Sequence, residues 1–398
     1  MSLLGYEGPV IGILLIFYLI FPNKIHTLCV ISYIGFIGYM MTFLKLIYHD
    51  PRPYWSYDTI NGYGCDGGFG KPSGHAFTSV VIFYFLIDGI LKKQFQKTYS
   101  SSELIDFIQN KNENNEQLPF TQNINEFNTQ LQGLSQFSWP FYVYLLLIIL
   151  IGFSRIYLGV HSYNQVILGW LYGVFFVCLY FELAQKRYEK IMAKYIYKCF
   201  KSTQDYVKHL SIVTGIYVFI IFVTVIAFYR VDNSISEEQM VIWLEKIATC
   251  KDNMDLSITK IAQNKIFLDS GSISISYSLL ITTMLTMGEY TPEDFQNNWS
   301  SLRISKKLLR FLIIVLVVGV PFLVMHYVYL TVTNIYFLYA LKSIFTFNLV
   351  MFCFIKVVPY ALAKLNLDIK GDLFRFLPEQ SFFNCRLKYQ DFLSNDYL

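Results

Sequence analysis

Long apolar runs recur along this chain, and they constrain its fold more than any other feature of the sequence. A helix that crosses the hydrocarbon core of a bilayer, about 30 Å thick, needs roughly 20 apolar residues. Nine runs come close to that length, at residues 3–21, 25–47, 74–91, 138–155, 162–184, 211–229, 272–288, 311–330 and 336–357. Because 54% of the residues are hydrophobic and only 15% are charged, the composition fits a membrane protein better than a soluble domain. The sequence therefore predicts an all-α fold, a polytopic transmembrane helical bundle of about nine spans.

Basic residues beside the spans predict which loops face the cytosol, because cytosolic loops carry an excess of Lys and Arg. The connector at 186–210 contains seven of them: Lys186, Arg187, Lys190, Lys194, Lys198, Lys201 and Lys208. With nine spans, the basic residues before the eighth run and around the end of the ninth fall on the same side. The loops at 48–73 and 156–161 then face the opposite side, which is the lumen or the cell exterior.

The predicted spans divide the chain into a membrane core, a basic cytosolic connector, a second group of spans and a cytosolic tail. These regions cover residues 1–185, 186–210, 211–357 and 358–398. A polar insert at about 93–136 interrupts the core, and its composition cannot bury enough apolar surface to fold alone. A non-cytosolic excursion at about 230–271 contains SEEQMVIWLEKIATC, which predicts an amphipathic helix that caps the non-cytosolic face.

The loop between the second and third runs carries more chemistry than any other stretch. Lys45 lies at the end of the second run, and Pro51 and Pro53 hold Arg52 in an extended loop. The third run opens on PSGH at 72–75. A proline at a helix start, exposed backbone N–H groups and a glycine that permits close approach are what an anion site requires. This loop therefore predicts a phosphate-binding site.

A second loop supplies the partner residues. Arg155 ends the fourth run and His161 begins the fifth, so a membrane hairpin brings a third cation and a second histidine to the same face. The three cations are Lys45, Arg52 and Arg155, and the two histidines are His75 and His161. We expect all five side chains to surround one pocket.

The order Lys-x6-Arg-Pro, Pro-Ser-Gly-His, Ser-Arg-x5-His resembles the three-part signature of the type 2 phosphatidic acid phosphatase superfamily. That superfamily includes lipid phosphate phosphatases, glucose-6-phosphatase, dolichyl diphosphatase and vanadium haloperoxidases. The resemblance covers residues 44–169. It implies a phosphatase core in the N-terminal half that hydrolyses a phosphate monoester without a metal or another cofactor.

The resemblance also implies a role for each motif residue. His161 is the nucleophile that forms a phosphohistidine, and His75 is the general acid that later activates water; histidine suits both roles because its pKa lies near working pH. The residues that bind the phosphate are Lys45, Arg52, Ser73, Gly74 and Arg155. Their charges and N–H groups neutralise the phosphoryl oxygens.

One position departs from the lipid phosphatase pattern, because Gln165 stands where an Asp usually follows the nucleophile by four residues. The i, i+4 spacing still places Gln165 on the face of His161. Its side-chain oxygen can accept the imidazole N–H, but it carries no full charge to stabilise imidazolium. Glucose-6-phosphatase and dolichyl diphosphatase share this Gln, and the RPYW and GGFGKPSGH stretches resemble the former further.

The cysteines and the net charge exclude some classes of site and partner. Seven cysteines show no CxxC or Cys/His spacing for a metal, and a dispersed net charge of +4 does not predict nucleic-acid binding. With nine spans, only Cys65 and Cys250 lie in non-cytosolic loops, where an oxidising lumen permits a disulfide that staples the excursion over the phosphate loop. The alternative is that both thiols stay free.

The sequence leaves the substrate and one other class of function open. A lipid phosphate, a sugar phosphate such as glucose 6-phosphate, and an isoprenoid diphosphate all fit the motifs. A catalytically silent member that serves as a structural subunit of a membrane complex is the alternative, since Gln165 is uncharged and the second half is uncharacterised. We expect an integral membrane protein of the endoplasmic reticulum or another endomembrane, with a lumenal or extracellular active site and unidentified protein partners.

Overall fold

The structure is a computed structural model, and it describes residues 24–63, 65–98, 139–196, 202–250, 262–286, 303–329, 331–365 and 367. Within those ranges every regular element is helical, which confirms the all-α class. We number the α-helices in chain order: α1 Lys24–Tyr48, α2 Pro53–Ser56, α3 Gly74–Thr98, α4 Trp139–Tyr157, α5 Tyr163–Leu179, α6 Gln185–Ile196, α7 Thr203–Ser234, α8 Glu237–Cys250, α9 Ala262–Asp269, α10 Ile273–Thr286, α11 Ile304–Tyr329, α12 Ile335–Ala340, α13 Phe347–Phe352 and α14 Val358–Lys364. Short π or 3-10 turns join several of them.

Six helical stretches in the described part are long and apolar enough to cross a membrane. They are Ile25–Ser56, Pro140–Tyr157, Tyr163–Met192, Thr203–Ser234, Ala262–Leu285 and Ile335–Leu362. Two more predicted spans coincide with α11 and with α3, whose apolar part, Gly74–Asp88, is shorter. The first predicted span, 3–21, lies outside the described residues, so the count of nine is not confirmed.

The polar regions differ in how far the structure describes them. Residues 93–98 of the predicted insert continue α3, and the rest lies outside the described residues, as does the tail beyond 367. In the predicted excursion, α7 continues to Ser234 and α9 begins at Ala262. The chain between those two helices includes α8, and this confirms the helix predicted in SEEQMVIWLEKIATC.

Helix α1 is the central element of the fold. It packs against α3 and α6 of the first half and against α7, α9 and α10 of the second half. Its apolar side chains, including Leu28 and Ile37, are buried in the main hydrophobic cluster. Because Lys45 lies in the last turn of α1, this packing fixes one predicted site residue against both halves of the chain.

Helices α3 and α5 approach closely, and a glycine makes that possible. A Cβ on Gly169 of α5 would lie only 2.6 Å from the carbonyl oxygen of Ser73, so any larger residue would push the two helices apart. The backbone N–H of Ser73 also donates to the carbonyl oxygen of Gln165 at 2.9 Å. These contacts bring the start of α3 beside the start of α5, where two predicted motifs meet.

Helix α8 covers the loop that holds Arg52. The Trp243 ring lies 5.6 Å from that of Trp55 and 6.2 Å from that of Phe69, centroid to centroid. A disulfide joins Cys65 to Cys250 with their Cα atoms 5.7 Å apart, which is the pairing that the side assignment of the cysteines permits. The second half of the chain is therefore fastened to the loop of the first.

Candidate active site

Arg52 lies fully buried at the centre of the site and is held by backbone and side-chain acceptors. Its Nε donates to the carbonyl oxygen of Gly68 at 2.6 Å, and one terminal nitrogen donates to the carbonyl oxygen of Val160 at 3.1 Å. The other donates to Asp66 Oδ2 at 2.7 Å. This planar fork has a single orientation, and it links the two motif loops directly.

Asp66 connects Arg52 to the second half of the chain. Its Oδ2 accepts from Arg52 and its Oδ1 from Lys265 of α9. Burial alone would raise the pKa of Asp66, but the positive charges of Arg52, Lys265 and Lys45 outweigh it and hold that pKa well below its usual range. Asp66 is therefore a carboxylate that orients Arg52.

Gln165 is buried, and its amide makes its full set of four hydrogen bonds. Nε2 donates to Asp50 Oδ2 and to the carbonyl oxygen of Pro51, both at 3.0 Å. Oε1 accepts from the backbone N–H of Ser162 at 3.3 Å and from His161 Nδ1 at 3.2 Å. Because two acceptors face Nε2 and a backbone donor faces Oε1, only one orientation of the amide satisfies every partner.

The orientation of Gln165 fixes the tautomer of His161. An amide oxygen can only accept, so His161 carries its proton on Nδ1 and has its lone pair on Nε2. That Nε2 lies 3.2 Å from a terminal nitrogen of Arg52, which donates to it. The lone pair is therefore directed at the Arg52 guanidinium in this structure, and it has to give up this hydrogen bond before it can attack a phosphoryl group.

The environment of His161 also fixes its charge. Burial lowers its pKa well below the usual value, and the positive charges of Arg52, Lys45 and Arg155 lower it further, while the bond to Gln165 opposes them. His161 is therefore neutral at physiological pH. A neutral imidazole is the form that can act as a nucleophile.

Ser73, Gly74 and Lys45 line the neighbouring side. The Lys45 Nζ lies 3.6 Å from where a Cβ on Gly74 would be, so the ammonium group lies at the start of α3. The buried Ser73 Oγ has no hydrogen-bond partner within the part of the chain that the structure describes. A buried hydroxyl without a partner is costly, and a phosphoryl oxygen would satisfy it.

Arg155 and His75, the remaining predicted residues, lie on α4 and α3, the helices that lead into the two motif loops or out of them. Arg155 is buried in the last turn of α4, close enough for its charge to lower the pKa of His161. His75 is half-buried in the first turn of α3, two residues after Ser73. Tyr54 and Trp55 are buried under α8, so their rings are not exposed for stacking on a sugar.

A model of the PAP2 superfamily matches residues 26–189. This match confirms the resemblance of this part of the chain to the type 2 phosphatidic acid phosphatase superfamily. The matched range, hereafter the PAP2 segment, contains all eight predicted site residues. No curated protein and no solved structure matches the chain.

Sequence reasoning missed three residues of the site, namely Asp50, Asp66 and Lys265. Asp50 falls inside the six-residue gap of the first motif, and Asp66 directly follows the disulfide-bonded Cys65. Lys265 lies outside the PAP2 segment, and its partner Asp66 is 199 positions away. Asp50 and Asp66 did offer a signal in the sequence, because each is a carboxylate inside or beside a motif loop.

Proposed function

We propose that this protein is a membrane-embedded phosphatase that hydrolyses a phosphate monoester through a phosphohistidine on His161. The observation that carries the proposal is the state of His161, a neutral imidazole whose Nε2 lone pair faces the Arg52 guanidinium. Ser73, which offers an unpartnered hydroxyl, and the cations Lys45 and Arg155 complete a site suited to a dianionic phosphoryl group. The match to the PAP2 superfamily supports the same reaction class.

The first step transfers the phosphoryl group to the protein. The Nε2 lone pair attacks phosphorus, the bond between phosphorus and the ester oxygen breaks, and His75 protonates the departing oxygen. Arg52, Arg155 and Lys45 neutralise charge on the phosphoryl oxygens during transfer, the largest contribution expected for such a reaction. Gln165 accepts the Nδ1–H bond throughout, because the phosphorylated imidazole keeps that proton.

The second step returns the protein to its starting state. His75, now neutral, takes a proton from a water molecule, whose oxygen attacks phosphorus as the bond to Nε2 breaks. Inorganic phosphate leaves, and His161 is again a neutral imidazole with its proton on Nδ1. No group in this scheme is consumed, and each proton that His75 gives is replaced from water.

We place this site on the lumenal side of an endomembrane, which corresponds to the extracellular side of the cell membrane. The Cys65–Cys250 disulfide supports that side, because disulfides persist in oxidising compartments and are rare in the cytosol. The basic connector at 186–210 follows the end of α5 that is far from His161. It supports a cytosolic position for the opposite face.

The experiment that tests the proposal is phosphate release by the purified protein from three substrates. These are glucose 6-phosphate, a short-chain phosphatidic acid and an isoprenoid diphosphate, with His161→Ala as the matched inactive variant. Release from at least one substrate that His161→Ala abolishes is the expected result. A folded protein that releases phosphate from none of them and co-purifies with other membrane subunits would favour the structural-subunit alternative.

A further inference from the structure

Asp50 is held in place by hydrogen bonds, and the proposed reaction gives it no role. It follows α1 by two residues, and the backbone N–H of Gly70 donates to its carbonyl oxygen at 2.8 Å. Its carboxylate is half-buried and accepts from Gln165 Nε2 at 3.0 Å. On the other side of the same amide, Gln165 Oε1 meets His161 Nδ1 at 3.2 Å. The side-chain amide of Gln165 therefore lies between the Asp50 carboxylate and the His161 imidazole.

We propose that Asp50 is a positioning residue that acts on His161 through Gln165. In this relay the first motif loop supplies a carboxylate that lies one amide away from the histidine. Its effect on turnover rests on the proposed function of His161. The hydrogen bonds themselves do not depend on that function.

The relay explains why an uncharged amide can serve at position 165. A carboxylate that accepts from Nε2 draws positive charge onto the N–H and leaves Oε1 more negative, as neighbouring hydrogen bonds polarise one another. Oε1 then becomes a stronger acceptor for Nδ1–H. Positive charge develops on the imidazole as the bond between Nε2 and phosphorus forms, so the benefit grows in the transition state.

The surroundings of Gln165 show that this arrangement is specific to an amide. A Cβ on Gly70 would lie 2.6 Å from Gln165 Nε2 and 2.7 Å from Oε1, so the glycine leaves room for this side chain and no more. Asp50 and the Pro51 carbonyl present two acceptors to Nε2. A carboxylate at position 165 would meet both of them with an oxygen, which is unfavourable.

The kinetic consequence distinguishes positioning from substrate binding. Asp50 reaches the reacting atoms only through Gln165, so its charge should affect transfer more than affinity. Asp50→Asn keeps an acceptor oxygen for Gln165 and removes the charge. We expect kcat to fall on the order of 10-fold, the lower end for an outer partner of a functional histidine, with KM unchanged.

A reciprocal exchange gives the sharper test. Gln165→Glu alone sets two carboxylates against each other and should lower kcat more than Asp50→Asn does. Adding Asp50→Asn to it supplies an amide that donates to the introduced carboxylate, so the double variant should recover most of that loss. Glu182→Gln is the matched control, because Glu182 is an exposed carboxylate between α5 and α6, and the corresponding change from carboxylate to amide there should leave kcat unchanged.

An activity-independent measurement keeps the relay testable even if no substrate is turned over. In ¹⁵N-histidine-labelled protein in micelles, the Nδ1–H proton of His161, assigned by its loss in His161→Ala, should move upfield in Asp50→Asn. It should return downfield in the double variant that combines Gln165→Glu with Asp50→Asn. An unchanged proton position and unchanged kcat in Asp50→Asn, or a double variant no better than Gln165→Glu, would overturn the relay. Failure of wild-type turnover alone would overturn only the proposed function.

Discussion

The buried fork of Arg52 shows how one side chain can define a site. Its nitrogens contact a carboxylate, two carbonyl oxygens and the imidazole of His161. Lysine has one ammonium group and cannot reproduce that planar set of donors. Arg52 therefore orients the motif loops as well as contributing charge.

We predict that Arg52→Lys lowers kcat/KM by at least ~10²-fold, the scale of losing one donor to the transition state. The positive charge is preserved, so the fall in kcat/KM would come from the changed geometry of the hydrogen-bond donors. Arg230→Lys, at an exposed position near the end of α7, is the matched control and should behave like wild type. Steady-state phosphate release measures both variants. Near-normal turnover by Arg52→Lys would mean that catalysis does not need the planar guanidinium of Arg52.

The depressed pKa of His161 predicts how stability depends on pH. The unfolded chain protonates His161 near its usual pKa of about 6.5, whereas the folded site keeps it neutral to much lower pH. As pH falls below about 6.5, the unfolded state alone gains the proton, and folded-state stability falls by up to about 1.4 kcal/mol per pH unit from this group. Above that pH the contribution of His161 is constant.

Thermal unfolding of wild type and His161→Gln between about pH 8 and pH 4.5, on either side of the ordinary histidine pKa, checks this prediction. The two proteins should keep a constant difference in melting temperature above about pH 6.5. Below it, wild type should lose stability more steeply than His161→Gln. Parallel curves throughout would mean that His161 titrates normally in the fold.

At the scale of helices, α8 acts as a fixed cover on the Arg52 loop. The disulfide, the Trp243 contacts and an ion pair between Lys246 and Asp58 all tie it down. Beneath it, Lys265 of α9 reaches Asp66. The second half therefore supports the orientation of Arg52.

We predict that the Cys65→Ser, Cys250→Ser double variant lowers thermal stability, since removing a native disulfide typically costs about 2–5 kcal/mol. Reducing the wild type should lower its melting temperature by the same amount. Cys178→Ser, a change at an exposed free cysteine, should not. If reduction and the double variant both leave the melting temperature unchanged, α8 is held by packing alone.

The motif residues were predictable because their order along the chain carries the signal. Arg52, His161 and Gln165 lie in or beside short loops whose flanking runs decide where they meet. Lys265 was not predictable, because it matters only through Asp66, a partner 199 positions away. Asp50 offered only its place inside a motif loop, because its partner Gln165 is 115 positions away. The disulfide was accessible to reasoning by elimination, since side assignment left two cysteines on one face.

For the whole molecule, the PAP2 segment and the second half form one structure. The segment ends at 189, yet α1 packs against α7, α9 and α10 beyond it. Helix α1 is therefore packed partly against the second half of the chain. The polar contacts that reach Arg52 and its partner Asp66 come from both sides of this boundary.

Topology gives a prediction at this scale. In sealed vesicles of known orientation, an impermeant thiol reagent should label Cys65 and Cys250 only from the lumenal face, and only after reduction. Cys199 and Cys385, which lie outside the described residues, should react only from the cytosolic face. Reaction of Cys65 from the cytosolic side would place the active site in the cytosol.

The most direct test of the central claim is to find the phosphorylated residue. Protein mixed with ³²P-labelled substrate for one turnover and quenched in alkali, where a bond between phosphorus and imidazole nitrogen survives, can be digested and mapped by mass spectrometry. The account predicts label on His161 of the wild type and no label on any residue of His161→Ala. Turnover by the wild type with label on another residue, or with no label in rapid-quench samples, would contradict it.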